Sequence, residues 1–220
     1  MNRIPRATGS VALSALALVL FTGCTNPFQP STPPAPSQGA LVEDFRTPEG
    51  LLSTIAAAVA AKGAEGAQAY GDAFSDSTST DTRAYYAFPD PGVEQQWAAV
   101  PHPTVWGKDL EKRFYYYLIA VHATFTYSMA FAPDYSRTEV INADSAILHR
   151  YYAIQASTPG ITRTIAVGYA DLYLVKNNGR WSVYLWQDRI DPNVGLTPPT
   201  DNPEAYSMGW RRYDSQTGSS

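Results

Sequence analysis

The sequence predicts an α+β domain in which helices come first and cover one face of a curved antiparallel sheet. In the first half, Leu51, Leu52, Ile55, Ala56, Val59 and Ala60 recur at helical spacing and form one apolar stripe. In the second half the period drops to two, with Val121, Ala123, Phe125, Tyr127, Met129 and Phe131 alternating against His122, Thr124, Thr126, Ser128 and Ala130. No strand-helix-strand alternation connects the halves, which argues against a parallel α/β sheet. With 45% apolar and 13% aromatic residues in 220, the chain can bury one substantial core, and its length favours one domain over two.

Residues 1–23 read as a secretion signal. Arg3 and Arg6 give a positive start, Val11 to Phe21 are almost wholly apolar, and the small residues Thr22 and Gly23 precede Cys24. The apolar run is about half of what a helix needs to cross a bilayer. The pattern resembles the lipobox of bacterial lipoproteins, with Phe21 where leucine is usual and Leu20 one place earlier. It implies cleavage before Cys24 and lipid attachment there. Cys24 is the sole cysteine, so an internal disulfide is excluded. Several acyl chains, at about 0.8 kcal/mol per buried methylene, would make the anchor durable. The expected location is the cell envelope, exported and lipid-anchored. In a Gram-negative cell, Thr25 in place of a retaining aspartate favours the outer membrane.

Residues 24–40 read as a tether, because Thr25 to Gly39 is TNPFQPSTPPAPSQG, with five prolines and little that could pack. At about 3.1 Å per residue it would hold the domain up to roughly 45 Å from the lipid. Loss of residues 1–23 leaves 14 basic and 20 acidic residues, a net charge near −6, so nucleic acid is excluded as a partner.

The domain is expected over residues 41–214, with 215–220 as a frayed tail. Thr47-Pro48-Glu49 starts a helix: a hydroxyl caps free amides, the proline has no N–H to waste, and the acid suits the dipole. Gly63 is expected to end it. A second helix fits Ala67 to Phe74 and a short strand fits Ala84 to Phe88, while PDPGVEQQWAAVPHP is too rich in proline to be regular. A third helix fits Val105 to Leu118, with Trp106, Leu110, Arg113, Phe114 and Tyr117 on one face and Lys108, Glu111 and Lys112 turned to water. Strands are expected near 121–131, 145–156, 163–176 and 180–189. Asn177-Asn178-Gly179 joins the last two as a tight hairpin, since Asn and Gly accept positive φ.

Thr47-Pro48-Glu49 with Leu51 and Leu52, then Tyr70 and Phe74, the helix led by Trp106, and Gly179-Arg180-Trp181 running into Trp186-Gln187-Asp188 are similar to the nuclear-transport-factor-2-like superfamily, in particular small exported bacterial members. The resemblance spans residues 42–213. It implies a cone-shaped domain whose bent sheet wraps the first helix and leaves a pocket at the open end. Enzymes of that fold, such as ketosteroid isomerases, scytalone dehydratase and SnoaL-like cyclases, place acids or histidines in the pocket. Many relatives bind or dimerise without chemistry, so the fold licenses no reaction.

His102, His122 and His149 lack metal-ligand spacing, and no metal or other cofactor is expected. A general acid or base needs a carboxylate or imidazole in an apolar cavity. Asp171 shares a strand face with Tyr169 and Tyr173, and a cross-strand pair with an arginine is its plain reading. Asp188 shares a face with Tyr184 and Trp186, and it is the acid a catalytic reading would use, although pairing with Arg211 or Arg212 explains it equally. Phe114, Tyr117, Tyr127, Trp186 and Asp188 are the expected pocket residues. Tyr115, Tyr116 and Tyr117 cannot all face inward, so one or two line an opening or meet solvent. The reading that results is a lipid-anchored exported domain that binds a small apolar ligand or a partner without catalysis. The alternatives are an isomerase, dehydratase or cyclase, and a homodimerisation module that uses the open sheet face.

Overall fold

A computed structural model describes residues 41–76, 83–120, 122–196 and 203–217. The expected signal, Cys24 and the tether lie outside the described residues. The domain opens with α1 (Pro48–Ala61), and Thr47 Oγ1 accepts the Gly50 amide at 2.9 Å, a cap worth about 1 kcal/mol. Leu51, Leu52, Ile55, Ala58 and Val59 are buried, whereas Ala56 and Ala60 are only half-buried. The last helical residue is Ala61, two before the expected glycine. Lys62 takes the left-handed φ of 58°, held there as its ammonium donates to Ala123 O at 2.6 Å and Phe125 O at 3.0 Å. Gly63 begins α2 (Gly63–Asp72).

Next come β1 (Tyr86–Phe88), α3 (Pro91–Trp97) and α4 (Lys108–Ala120). Helix α3 corrects the expectation of an irregular segment. Asp90 accepts the Gly92 amide at 2.8 Å ahead of Pro91, so the prolines that argued against a helix start one, as Pro48 does.

Strands β2 (Thr126–Pro133), β3 (Val140–Ile141), β4 (Ser145–Thr158), β5 (Ile161–Asn177) and β6 (Arg180–Arg189) follow, and α5 (Met208–Asp214) closes the domain. The curved, unclosed sheet has the order β1-β6-β5-β4-β2, with β3 also on β4. It is mixed rather than purely antiparallel, because β1 runs parallel to β6. Residues 122–125 form a turn, so the first long strand starts at Thr126, and only Tyr127, Met129 and Phe131 of the expected alternation lie on the inner face. The β5–β6 turn takes positive φ at Asn178 and Gly179 as expected. Register breaks at Ile154/Gln155 and Tyr173/Leu174 add twist, and the second leaves Tyr184 without a partner.

Leu148, Tyr152, Ile154, Leu172, Leu174 and Trp186 on the inner sheet face pack with α1, α2 and α4 into one core. Neither β3 nor α5 was expected. A two-residue strand has no readable period, and α5 has an arginine pair where an apolar stripe would be sought.

Candidate functional site

The expected cone pocket is filled by the protein itself. Phe114 and Trp186 are fully buried, and the Arg212 guanidinium from α5 lies between them, 5.6 Å and 4.9 Å from the two ring centroids. Arg212 pairs in two-pronged fashion with Glu111, each nitrogen to oxygen distance being 2.9 Å. Tyr70 and Trp106 donate to the same carboxylate at 2.7 Å each. Glu111 was expected to face water and is instead wholly buried. It points into the core because the face of α4 that packs inward carries Glu111, Phe114, Tyr115 and Leu118, and the helix meets α2 and α5. A carboxylate bracketed by Trp106 and a distant arginine pair was the legible trace of this network.

Asp188 is 2% exposed and its carboxylate is engaged by Tyr152 and by the start of α5. One oxygen accepts from Tyr152 Oη at 2.6 Å and the other from the Gly209 amide at 2.8 Å. Burial raises the affinity of this carboxyl for its proton, against the opposing pull of Arg212 and Tyr152. A Cβ on residue 209 would stand 2.7 Å from Asp188 Oδ2, so glycine is what lets the helix come this close. Tyr152 Oη also accepts the Met208 amide at 2.7 Å.

The remaining pocket candidates are likewise engaged. Tyr127 is buried, donates to Ile119 O at 3.0 Å and accepts from the His122 amide at 2.9 Å. Tyr117 donates to Asp214 of α5, and its hydroxyl is pushed up to about 12 by burial and then by Asp214. Of the three tyrosines in a row, Tyr115 is buried, Tyr116 is 53% exposed and Tyr117 is half-buried, as expected.

No histidine joins Asp188. His149 Nδ1 lies 2.8 Å from Asp171. His122 left its expected strand for a turn, and its Nε2 lies 2.5 Å from Glu204. His102 is half-buried against Tyr213, with Nδ1 2.7 Å from Val100 O. Among the described residues no group of three or more His, Cys, Asp and Glu side chains could hold a metal ion.

The outer face of the sheet offers the alternative, since α1 and α5 pack on the inner side. Cα partners on adjacent strands align Tyr86, Leu185, Tyr173, Ile147 and Val140 in one row across β1, β6, β5, β4 and β3. The row is apolar or aromatic throughout, with Tyr86 41% and Val140 46% exposed and the middle three half-buried.

The next row runs from Phe88 and Gln187 to Asp171 and His149. Asp171 is paired as its plain reading required, with Arg137 at 2.5 Å and Arg189 at 3.2 Å. Burial pushes its carboxyl up, but the hydrogen bonds of Arg137 and His149 and the nearby Arg189 outweigh that and hold it below the usual range. Arg189 also reaches Asp134 at 3.1 Å and lies over the Tyr169 ring.

No known family model matches this chain, and no characterised protein matches it in sequence. Several solved structures are similar. A protein of unknown function from Mycobacterium tuberculosis superposes with a TM-score of 0.45 at 10% identity, over 73% of this chain and 80% of its own. A protein of unknown function with a cystatin-like fold from Nostoc punctiforme gives 0.43 at 15% identity, over 67% and 91%. An NTF2-like protein with a cystatin-like fold from Novosphingobium aromaticivorans gives 0.44 at 10%, over 66% and 80%. The likeness is one of fold outline, and the α+β architecture stands on the helices and strand order described above.

Proposed function

We propose that this protein is a lipid-anchored exported binding module without catalysis, and that it recognises a protein partner through the outer face of its sheet. The observation that carries the reading is the contrast between a cone closed by Arg212, Glu111 and Asp188 and an apolar row from Tyr86 to Val140 whose two ends are exposed among the described residues. A small molecule would have to displace a buried ion pair to enter the cone. A partner meets the row with no such cost.

The homodimer is the second reading. The row is uncharged from end to end, so a copy can meet it across a two-fold axis without opposing like charges.

Sedimentation of the full-length protein in detergent tests both readings, with Tyr173→Glu as the variant. A dimer that Tyr173→Glu dissociates supports the second reading, and a monomer with an intact fold leaves a different partner as the occupant. Native mass spectrometry that finds a small molecule retained with the folded domain would overturn the closed cone. Anchoring is tested apart from this: Cys24→Ala should abolish acyl labelling, and labelling that survives it refutes the anchor.

A further inference from the structure

His149 stands on the outer face of β4 between Ile147 and Tyr151, in the row that runs from Phe88 and Gln187 to Asp171. It is 6% exposed, and an imidazole buried to that degree is expected to use both ring nitrogens. Only one is used. Nδ1 lies 2.8 Å from Asp171 Oδ1, whereas Nε2 meets no hydrogen-bond partner among the described residues and is not sealed from solvent.

The tautomer follows from the partner. Burial would raise the pKa of Asp171, but the hydrogen bonds of Arg137 and His149 and the nearby Arg189 hold its carboxyl below the usual range, so it is ionised near neutrality and can only accept. Nδ1 must therefore carry the proton. In the neutral ring this leaves a lone pair on Nε2, the nitrogen farther from the backbone, and the bond to Asp171 fixes the ring that presents it.

The charges around the ring are already matched. Asp171 is met by Arg137 and Arg189, Asp134 by Arg189 and Glu139 by Arg150, while Asp191, beyond Tyr151, accepts the Asn193 amide. A charged group of either sign would bring a like charge against one of these pairs, whereas a neutral donor would not. Beside the imidazole, Ile147 and Tyr151 are half-buried, and Tyr169 meets Tyr151 edge to face with ring centroids 5.2 Å apart. That surface suits an aromatic body. A phenol carries its donor at the tip of the ring and so reaches a recessed nitrogen, while an indole carries it on the side.

We propose that His149 Nε2 is the polar anchor of the outer face, and that the protein partner fills it with a tyrosine side chain, its ring against Ile147 and Tyr151 and its hydroxyl donating to the imidazole. The contact rests on the outer face being the partner surface.

Nitrogen-15 spectra of the imidazole rings, taken on the full-length protein in detergent at neutral pH, test it with acetyl-Gly-Tyr-Gly-amide, acetyl-Gly-Phe-Gly-amide and p-cresol. The proton of the free ring should sit on Nδ1. The tyrosine peptide should then move the Nε2 signal saturably, with an affinity roughly tenfold above that of the phenylalanine peptide, the worth of one hydrogen bond. His149→Leu should make the two peptides equal in their effect on the Ile147 and Tyr151 amides, and the wild-type spectra alone decide the matter if that variant unfolds. A proton on Nε2, or an Nε2 signal that both peptides move equally or neither moves, would overturn the proposal. So would a signal that p-cresol moves and the tyrosine peptide does not, which assigns the site to a free phenol. The partner reading fails by a different result, association that Val140→Glu leaves intact, so the two failures are distinguishable.

Discussion

Inside the sheet, Glu111, Arg212 and Asp188 are sealed from water and hold α5 against the cone; outside it, Asp171, His149, Arg137, Arg189 and Asp134 form a network of similar composition at the protein surface. The difference is in what each carboxylate is given. Burial dominates at Asp188, whose proton is held more tightly than usual. At Asp171 the neighbouring arginines and His149 dominate, and the proton is held less tightly. Asp134 behaves like Asp171, through Ser136 and Arg189. Two carboxylates thus make an internal latch on one face, and two others support the outer surface on the other.

The largest test of that contrast is the latch. Arg212→Met strands the Glu111 charge among Tyr70, Trp106 and Phe114 and should cost about 3–5 kcal/mol in urea denaturation. Replacing Glu111 and Arg212 together by Met and Leu should recover most of that loss. A double variant as unstable as the single one would show that the pair does more than neutralise itself. Next comes Gly209→Ala, which pushes a methyl group against Asp188 Oδ2 and Pro89 and should cost about 1–3 kcal/mol.

Acid titration separates the faces by sign. Asp171, with its lowered pKa, stabilises the fold above pH ~4 and loses that contribution as pH falls through its folded value. Asp188, with a raised pKa, contributes most below pH ~4, and that contribution is lost as pH rises through its folded value. Asp171→Asn should therefore flatten the acid loss of stability, and Asp188→Asn should remove the opposing slope above pH ~4. Unfolding midpoints across pH would read both. The smallest effect belongs to the apolar row: Val140→Glu, nearly half exposed on β3, should change stability by less than about 0.5 kcal/mol while abolishing partner association.

Much of the frame was legible. Thr47-Pro48 caps α1, Asn178-Gly179 turns β5 into β6, and the Asp171 pairing followed from alternation, because each depends on neighbours within a few residues. Asp188 showed as an anomalous acid among aromatics, but in place of the expected pairing with Arg211 or Arg212 it accepts from Tyr152 and the Gly209 amide, while Arg212 goes to Glu111 and Arg211 to the Ile165 and Glu204 carbonyls. Glu111 was misplaced, since a lone glutamate between lysines reads as a wet helix face until an arginine 101 residues later comes to meet it.

By itself the sequence determined the order of helices before strands, the alternation that gives the sheet two faces, and the local caps and turns, because these are set by short-range sterics and hydrogen bonds. Only the tertiary structure decided that the cone is closed. The filling of that cavity depends on where α5 lands, and α5 is fastened by contacts from Gly209 to Asp188 and from Arg212 to Glu111 that no local period encodes.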